Sequence, residues 1–347
     1  MEQASTVALN SAVVPRPVTS EPDAIKNRIF SQIRLDLERI EAEIERQLTT
    51  KIPLISLVGR YIMGSGGKRL RPLLMILAAR LCGYKGKRDA ALSVVFEFVH
   101  AATLLHDDVV DHAEVRRSQP AANTIWGNPA VVLIGDFLYS KAILMAVGHD
   151  KLRILEVLTD ATTKMAEGEV LQLINSDNLE IDEQEYLEVV TRKTAVLISA
   201  ACQIGGLFAS GQPAQVQALR DYGYHLGIAF QLIDDTLDYT GDLKELGKPV
   251  GNDIQEGKVT LPLIFTLQNG DLASTGRLRE IFSSDEIPRE DFLEARDLVV
   301  RAGGIDYTQR LAMEHVNEAK EALNAFPPHP TRDLMMDIAD YVVFRRA

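Results

Sequence analysis

The chain has 347 residues, 46% of them hydrophobic and 25% charged, a balance that supplies a generous apolar core and excludes fibrous and disordered classes. Its formal net charge of −12 speaks against nucleic acid as a partner, because phosphate backbones are bound by net-positive surfaces, and leaves small anions to local basic clusters. Two cysteines, Cys82 and Cys202, offer neither a disulfide framework nor a zinc-type spacing and point to a reducing compartment.

No run of eighteen apolar residues and no charged-then-apolar leader is evident, so a cytoplasmic protein without a transmembrane segment is expected. Residues 1–22 mix Ser, Thr, Val and proline without a period and read as a flexible tail before one helical domain over 23–347. Ile25, Ile29, Ile33, Leu37, Ile40, Ile44 and Leu48 recur every three or four residues, which predicts an amphipathic helix. A second helix starts after Pro53 and ends in Gly64-Ser65-Gly66-Gly67, where three glycines cannot sustain one. A third holds Pro72 in its first turn and runs to Cys82, closed by Gly83. From Asp89 to Val110 nearly every residue is apolar or small on all faces, the mark of a helix buried on every side. Further helices are expected at 129–148, 151–174, 182–205, 213–238, 261–268, 289–302, 307–324 and 332–343. Period-two runs are absent and no linker divides the chain, so the expected fold class is all-α, a single-domain helical bundle.

Two of these helices carry the pattern DDxxD, as Asp107, Asp108 and Asp111, and as Asp234, Asp235 and Asp238. On a helix the first and last Asp of each triplet share a face, with the middle one turned by about a quarter circle. Three acids so placed repel one another, and at a helix C-terminus they also oppose the dipole, so a cation is the expected counterpart. A single DDxxD is ordinarily a solvated helix face. Here the flanks, Val99 to Leu105 and Ala229 to Ile233, are apolar and lack surface-like alternation. All-oxygen clusters without His or Cys suit a hard ion such as Mg²⁺, which completes its shell with water and substrate phosphates, and two opposed clusters suit a diphosphate.

Basic residues gather beside these features. Lys68, Arg69 and Arg71 follow the glycine loop, Arg116 and Arg117 stand just past the first triplet, and Lys193, Lys248 and Lys258 lie near or after the second. In an acidic chain this clustering favours local anion binding over scattered surface cations. The glycine loop is no P-loop, since no glycine stands five before Gly67 and Lys68 is followed by Arg69. The segment 247–258, rich in glycine and charge, is either a loop that folds over a ligand or a solvated connection. His100 and His106 read as core or supporting residues, and Trp126 and Cys202 as packing.

Six motifs occur in order: GGKRLRP from Gly66, LLHDDVVDHAEVRR from Leu104, GDFLYSKA from Gly135, RKTAVL from Arg192, FQLIDDTLDYTGD from Phe230 and GKPVGNDIQEGKVTLPL from Gly247. Together they resemble the trans-type polyprenyl diphosphate synthases over most of the chain beyond about residue 25. The resemblance implies an isoprenoid-synthase fold around a central cavity, with the two triplets facing each other across its mouth. It implies that Asp107, Asp108, Asp111, Asp234, Asp235 and Asp238 hold Mg²⁺, three ions per active site, against an allylic diphosphate. Lys68, Arg71, His100 and Arg117 match an isopentenyl diphosphate site. Arg116, Lys193, Lys248 and Lys258 match clamps on the allylic diphosphate, and Thr194 and Gln231 match positions lining the reacting centre.

The same resemblance bears on product length. Small residues at Ala102 and Thr103, just before the first triplet, are similar to those of long-chain members, whose products of roughly six to ten isoprene units serve as quinone tails. A bulky aromatic there would stop the chain early, and the cavity floor would lie further on, near Phe137 or Met145. Alternatives are a short-chain synthase making a fifteen- or twenty-carbon product, or a non-catalytic partner subunit of a heteromeric synthase. A homodimer, with at most peripheral membrane contact for product release, is also implied.

Overall fold

The stripe from Ile25 to Leu48 is the buried face of helix α1 (Pro22–Leu48), with its isoleucines at or below 5% exposure and Leu37 at the margin. The computed structural model describes residues 22–117, 119–149, 151–176, 178–240, 258–284 and 287–344. The expected tail, Lys248 and nearly all of the 247–258 segment lie outside the described residues. After α1 come α2 (Pro53–Gly64), α3 (Leu70–Leu81) and α4 (Asp89–Val110). A two-residue antiparallel ladder, β1 (Val115–Arg116) with β2 (Gln119–Pro120), leads into the short α5 (Ala122–Trp126). Then follow α6 (Asn128–Val147), α7 (Leu152–Ile174), α8 (Glu183–Val190), α9 (Val196–Phe208) and α10 (Pro213–Thr240). The last five are α11 (Leu261–Asn269), α12 (Leu272–Phe282), α13 (Arg289–Arg301), α14 (Gly304–Ala322) and α15 (Pro330–Phe344).

The all-α expectation holds, and most helices lie within a few residues of their expected bounds. Two differences are instructive. The expected helix 182–205 is interrupted at Thr191–Ala195 by one wide π turn. Helix α12 was not expected; it is capped by Asp271, which accepts from the backbone N–H of Ala273 and Ser274 at 3.0 and 2.9 Å, but it carries Gly276 and few apolar residues.

Two apolar cores meet at α10. Leu226 and Ala229 face the larger one, built mainly from α1 to α4, α6, α7, α9 and α15. Ile228, Leu232 and Ile233 face the smaller one, formed with α8 and α11 to α14. Because both of its sides are covered, α10 has little freedom to rotate or slide, and the second triplet inherits that rigidity. Helix α4 is held between α3 and α6 in the same way. Both cysteines are free, and burial pushes the Cys82 thiol up to about 11, which makes it inert at neutral pH.

A polar clamp ties α1 to this framework. Buried Asp36 accepts from Arg80 Nη2 of α3 at 2.7 Å and from Arg39 Nη1 at 3.3 Å, and Arg39 also pairs with Asp89 in the first turn of α4. Asp36→Ala leaves two arginines without their shared acceptor and is expected to lower unfolding free energy by about 1–3 kcal/mol. Urea denaturation checks this, and an unchanged midpoint would show that α1 docks through its isoleucines alone.

Candidate active site

The first triplet ends a helix in an ordered turn. Helix α4 stops at Val110, the backbone N–H of Asp111 donates to the carbonyl of Asp107 at 2.8 Å, and that of Ala113 to the carbonyl of Asp108 at 3.0 Å. Asn123 of α5 adds a third bond, Nδ2 to the Asp108 carbonyl at 2.9 Å. His112 and Arg117 take left-handed backbone conformations, as does Arg69 ahead of α3. Such strain in non-glycine residues costs on the order of 1–3 kcal/mol each and concentrates at functional sites. The tight return through the β ladder, pinned by Tyr61 Oη donating to the Pro120 carbonyl at 2.7 Å, brings Arg116 back so that its Nε donates to Asp108 Oδ1 at 2.5 Å.

The second triplet lies within the last two turns of α10, with Asp235 and Asp238 buried and Asp234 partly exposed. A relay of side chains orients Asp235. Thr194 Oγ1 donates to Gln231 Oε1 at 2.8 Å, and Gln231 Nε2 donates to Asp235 Oδ1 at 2.8 Å. Tyr186 Oη of α8 donates to the other oxygen, Asp235 Oδ2. Both carboxylate oxygens thus have set directions.

The π turn accounts for Lys193 and Thr194. Its wide coil packs against α7 and α10, where any side chain at Gly168 would meet Lys193 N at 2.9 Å and any at Gly227 would meet Ala195 Cα at 2.6 Å. Two glycines therefore let the extra residue fit, and π turns of this kind recur at functional positions. Lys193 Nζ lies 2.6 Å from Glu169 Oε2 and 3.9 Å from Asp107 Oδ2. Lys258 Nζ lies 3.9 Å from Asp111 Oδ2. Arg116 from just past the first triplet, and Lys193 and Lys258 from two distant parts of the chain, therefore converge on it.

The electrostatics show the strain of this arrangement. Burial pushes the Asp107 carboxyl up to about 6, Glu169 and Asp111 add to the rise, and Lys193 and Arg116 oppose it. The carboxylates want more positive charge than the protein supplies. Their all-oxygen chemistry fits Mg²⁺, with Asp107, Asp108 and Asp111 on one side and Asp234, Asp235 and Asp238 on the other as the residues that could hold it.

A second, cationic sector adjoins the first. A side chain at Gly67 would approach Arg69 Nη1 at 3.1 Å and Arg117 Nη1 at 3.5 Å, which places the glycine loop beside both guanidinium groups. Burial lowers the His100 imidazole well below its usual range, and Arg71, Arg117, Arg116 and Arg69 push it further, so His100 is neutral. Arg69 and Arg71 have different jobs. Arg69 is buried and donates to Glu41 Oε1 at 2.7 Å, to Glu97 Oε2 at 3.2 Å and to the Met63 carbonyl at 2.7 Å. Arg71 keeps a buried Nε with no acceptor among the described residues; burial disfavours its charge most, Glu97 opposes that, and Arg117 adds to it. A buried cation left short of acceptors beside two others makes a receptor for an anion. Lys68 is exposed in the same loop.

The family model described as polyprenyl synthetase matches residues 52–299. The chain belongs to the polyprenyl synthetase family. Octaprenyl diphosphate synthase of Escherichia coli (strain K12) is 41% identical over 312 residues, covering 89% of this chain and 96% of that protein. The crystal structure of a polyprenyl synthase from Caulobacter crescentus CB15, complexed with calcium and isoprenyl diphosphate, superposes with a TM-score of 0.89 at 39% identity, covering 96% of this chain and 100% of the other. A decaprenyl diphosphate synthase from Rhodobacter capsulatus superposes with a TM-score of 0.86, also at 39% identity, over 92% and 99% of the two chains. The fold is that of the isoprenoid synthases, and this polyprenyl synthetase is a prenyltransferase.

Of the site residues expected from sequence, the structure brings Asp107, Asp108, Asp111, Arg116, Lys193 and Lys258 to one cluster, and joins Thr194, Gln231 and Asp235 in another. His100, Arg71 and Arg117 share the cationic sector, and Asp234 is close enough to raise the pKa of Arg71 and Arg117. Ala102 is buried and Thr103 half-buried on α4, with Thr103 Oγ1 donating to the His100 carbonyl at 2.9 Å. Lys248 falls outside the described residues. Sequence reading missed Glu169, Tyr186 and Asn123. The one local signal was Gly168-Glu169, a helix-breaking residue and an acid inside a long helical pattern. Tyr186 and Asn123 look like ordinary helix residues until packing aims them.

Arg69→Met removes the hydrogen-bonded partner of buried Glu97, leaving it only the nearby charges of Arg71 and Arg117, and is expected to destabilise the fold by about 1–3 kcal/mol. Arg71→Met removes a cation whose burial outweighs the attraction of Glu97 and Asp234 and is expected to keep or raise the urea midpoint. Equal losses in the two variants would contradict the division of roles.

Proposed function

We propose that the protein is a Mg²⁺-dependent synthase that adds isopentenyl diphosphate repeatedly to an allylic diphosphate and releases a long-chain, all-trans polyprenyl diphosphate. The observation that carries this reading is the convergence of Arg116, Lys193 and Lys258 on an aspartate triplet whose own charge is destabilised by burial. Such a site is built for diphosphate and divalent cation together. Family membership and the octaprenyl and decaprenyl relatives support the long product.

The chemistry follows from the residues. The allylic C–O bond breaks first, and Arg116, Lys193 and Lys258 lie where they meet the negative charge growing on the departing diphosphate. Asp107, Asp108, Asp111, Asp234, Asp235 and Asp238 would hold Mg²⁺, which would supply the remaining charge stabilisation when bound. Asp235, with Tyr186 and Gln231 setting its oxygens, needs no reorganisation to serve as a ligand. Lys68, Arg71, Arg117 and neutral His100 hold the diphosphate of isopentenyl diphosphate so that its double bond faces the allylic cation. A new C–C bond forms there, and the proton lost afterwards goes to the released diphosphate. Thr194, in the π turn, reaches Asp235 through Gln231, and the two line the reacting centre. No nucleophilic side chain takes part.

Product length rests on α4. Ala102 presents only a methyl group five residues before Asp107, so the growing chain passes it. Purified protein incubated with isopentenyl diphosphate, farnesyl diphosphate and Mg²⁺ is expected to give long products by chromatography. Ala102→Phe is expected to shift them to short ones, and Asp107→Ala to remove turnover while helicity persists. A wild-type product of fifteen or twenty carbons would favour the short-chain alternative, and folded protein with no condensation would favour a partner subunit.

The active species is a homodimer through α6, in the cytoplasm, touching membrane only peripherally to hand over its product. Helices α4 and α6 are both long and apolar enough to cross a membrane; 72% of the apolar stretch in α4 is buried inside the protein, against 33% in α6. Leu133 and Leu144 of α6 are 68% and 66% exposed, an apolar face that favours a second copy as its cover. Leu133→Asp with Leu144→Asp is expected to halve the mass seen by light scattering, and an unchanged mass would place any dimer elsewhere.

A further inference from the structure

On the opposite part of α10 from the aspartates, three ligand-type side chains meet that the prenyl-transfer site does not use. His225 of α10 and His315 of α14 face each other with their Nδ1 atoms 3.0 Å apart. Glu318 Oε2 lies 2.8 Å from His225 Nδ1 and 3.6 Å from His315 Nδ1. Among the described residues this is the one group of three or more His, Cys, Asp or Glu whose ligand atoms close to within 4.8 Å of one another. We propose that His225, His315 and Glu318 form a binding site for a borderline divalent cation of the zinc class, separate from the Mg²⁺ site of the aspartate triplets.

Proton counting supports an ion here. A neutral imidazole nitrogen is either donor or acceptor, and a carboxylate only accepts. A proton on His225 Nδ1 can serve His315 Nδ1 and Glu318 Oε2, yet it leaves those two acceptors facing each other. A divalent cation takes all three lone pairs at once. The distances suit it: ligands about 2.0–2.1 Å from a tetrahedral ion stand roughly 3.3 Å apart, and the three edges of 3.0, 2.8 and 3.6 Å bracket that spacing.

The donor set also selects the ion. Two imidazole nitrogens and one carboxylate suit zinc, cobalt or nickel, whereas the all-oxygen triplets suit magnesium. His315 and Glu318 stand three apart on one face of α14, a spacing that lets both reach one ion. The two His side chains are 24% and 16% exposed and that of Glu318 is 53% exposed, so solvent reaches the remaining coordination position. His225 precedes Asp234 by nine residues, about 13 Å along the helix axis, so an ion here pins α10 to α14 without touching the diphosphates.

The test uses full-length, untagged protein stripped with chelator and held in excess Mg²⁺ to occupy the carboxylate clusters. Cobalt(II) is the probe, because nitrogen-containing four- or five-coordinate sites give visible absorption that oxygen-only octahedral sites lack. One equivalent per chain is expected to develop that absorption, and one equivalent of Zn²⁺ to abolish it and raise the melting temperature. His225→Ala and His315→Ala are expected to weaken cobalt binding by at least about tenfold. Glu318→Gln, at an exposed position that leaves packing intact, is expected to weaken it by a similar factor. No visible absorption in the wild type would overturn the site. Absorption of equal strength and affinity in folded Glu318→Gln and either His variant would overturn it too, by placing the ion elsewhere.

Discussion

Repulsion between carboxylates, held where water cannot relieve it, is the constraint around which this protein is arranged. Asp108, Asp235 and Asp238 are buried, and Asp107 is pushed up to about 6 by its surroundings. Acids in such places weaken the helices that carry them. The fold compensates by making those helices immovable: α4 is enclosed by α3 and α6, and α10 has an apolar core on each side. Rigid burial keeps the charges from drifting apart and leaves them in need of positive charge.

Within the site, cations already lean on acids. Arg116 pairs with Asp108, and Lys193 pairs with Glu169 while facing Asp107. On the proposed function, a diphosphate and its metal ions would exchange partners with these pairs instead of entering a bare acidic surface, which would spread the cost of desolvation over both steps. The contrast between Arg69 and Arg71 follows the same logic. Two residues apart in one motif, the first satisfies its guanidinium with two glutamates and a carbonyl, and the second retains a buried nitrogen without an acceptor. The first arginine is committed to the fold, and the second keeps a donor unused.

Helix α10 has a further load. Its second triplet lies near its C-terminal end, while His225 meets α14. An ion at His225, His315 and Glu318 would stiffen the seam between α10 and α14 at a distance from the chemistry, so structural and catalytic ions of different hardness would share one helix without competing for ligands.

Sequence alone determined the helical class, nearly every helix, both triplets and the basic residues near them, because each is a local signal: periodicity, a breaker, or an acid cluster with apolar flanks. Spacing along one helix was enough to put Asp107 and Asp111 together. Tertiary structure decided what those signals do. Only packing aims Tyr186 and Gln231 at the two oxygens of Asp235, inserts a π turn between Gly168 and Gly227, and joins His225 to His315 across 90 residues of chain. The physical reason is range. Helix propensity and amphipathicity act within a few residues, whereas the partner of a buried polar group is set by which helices the hydrophobic core brings side by side, and that is a property of the whole chain.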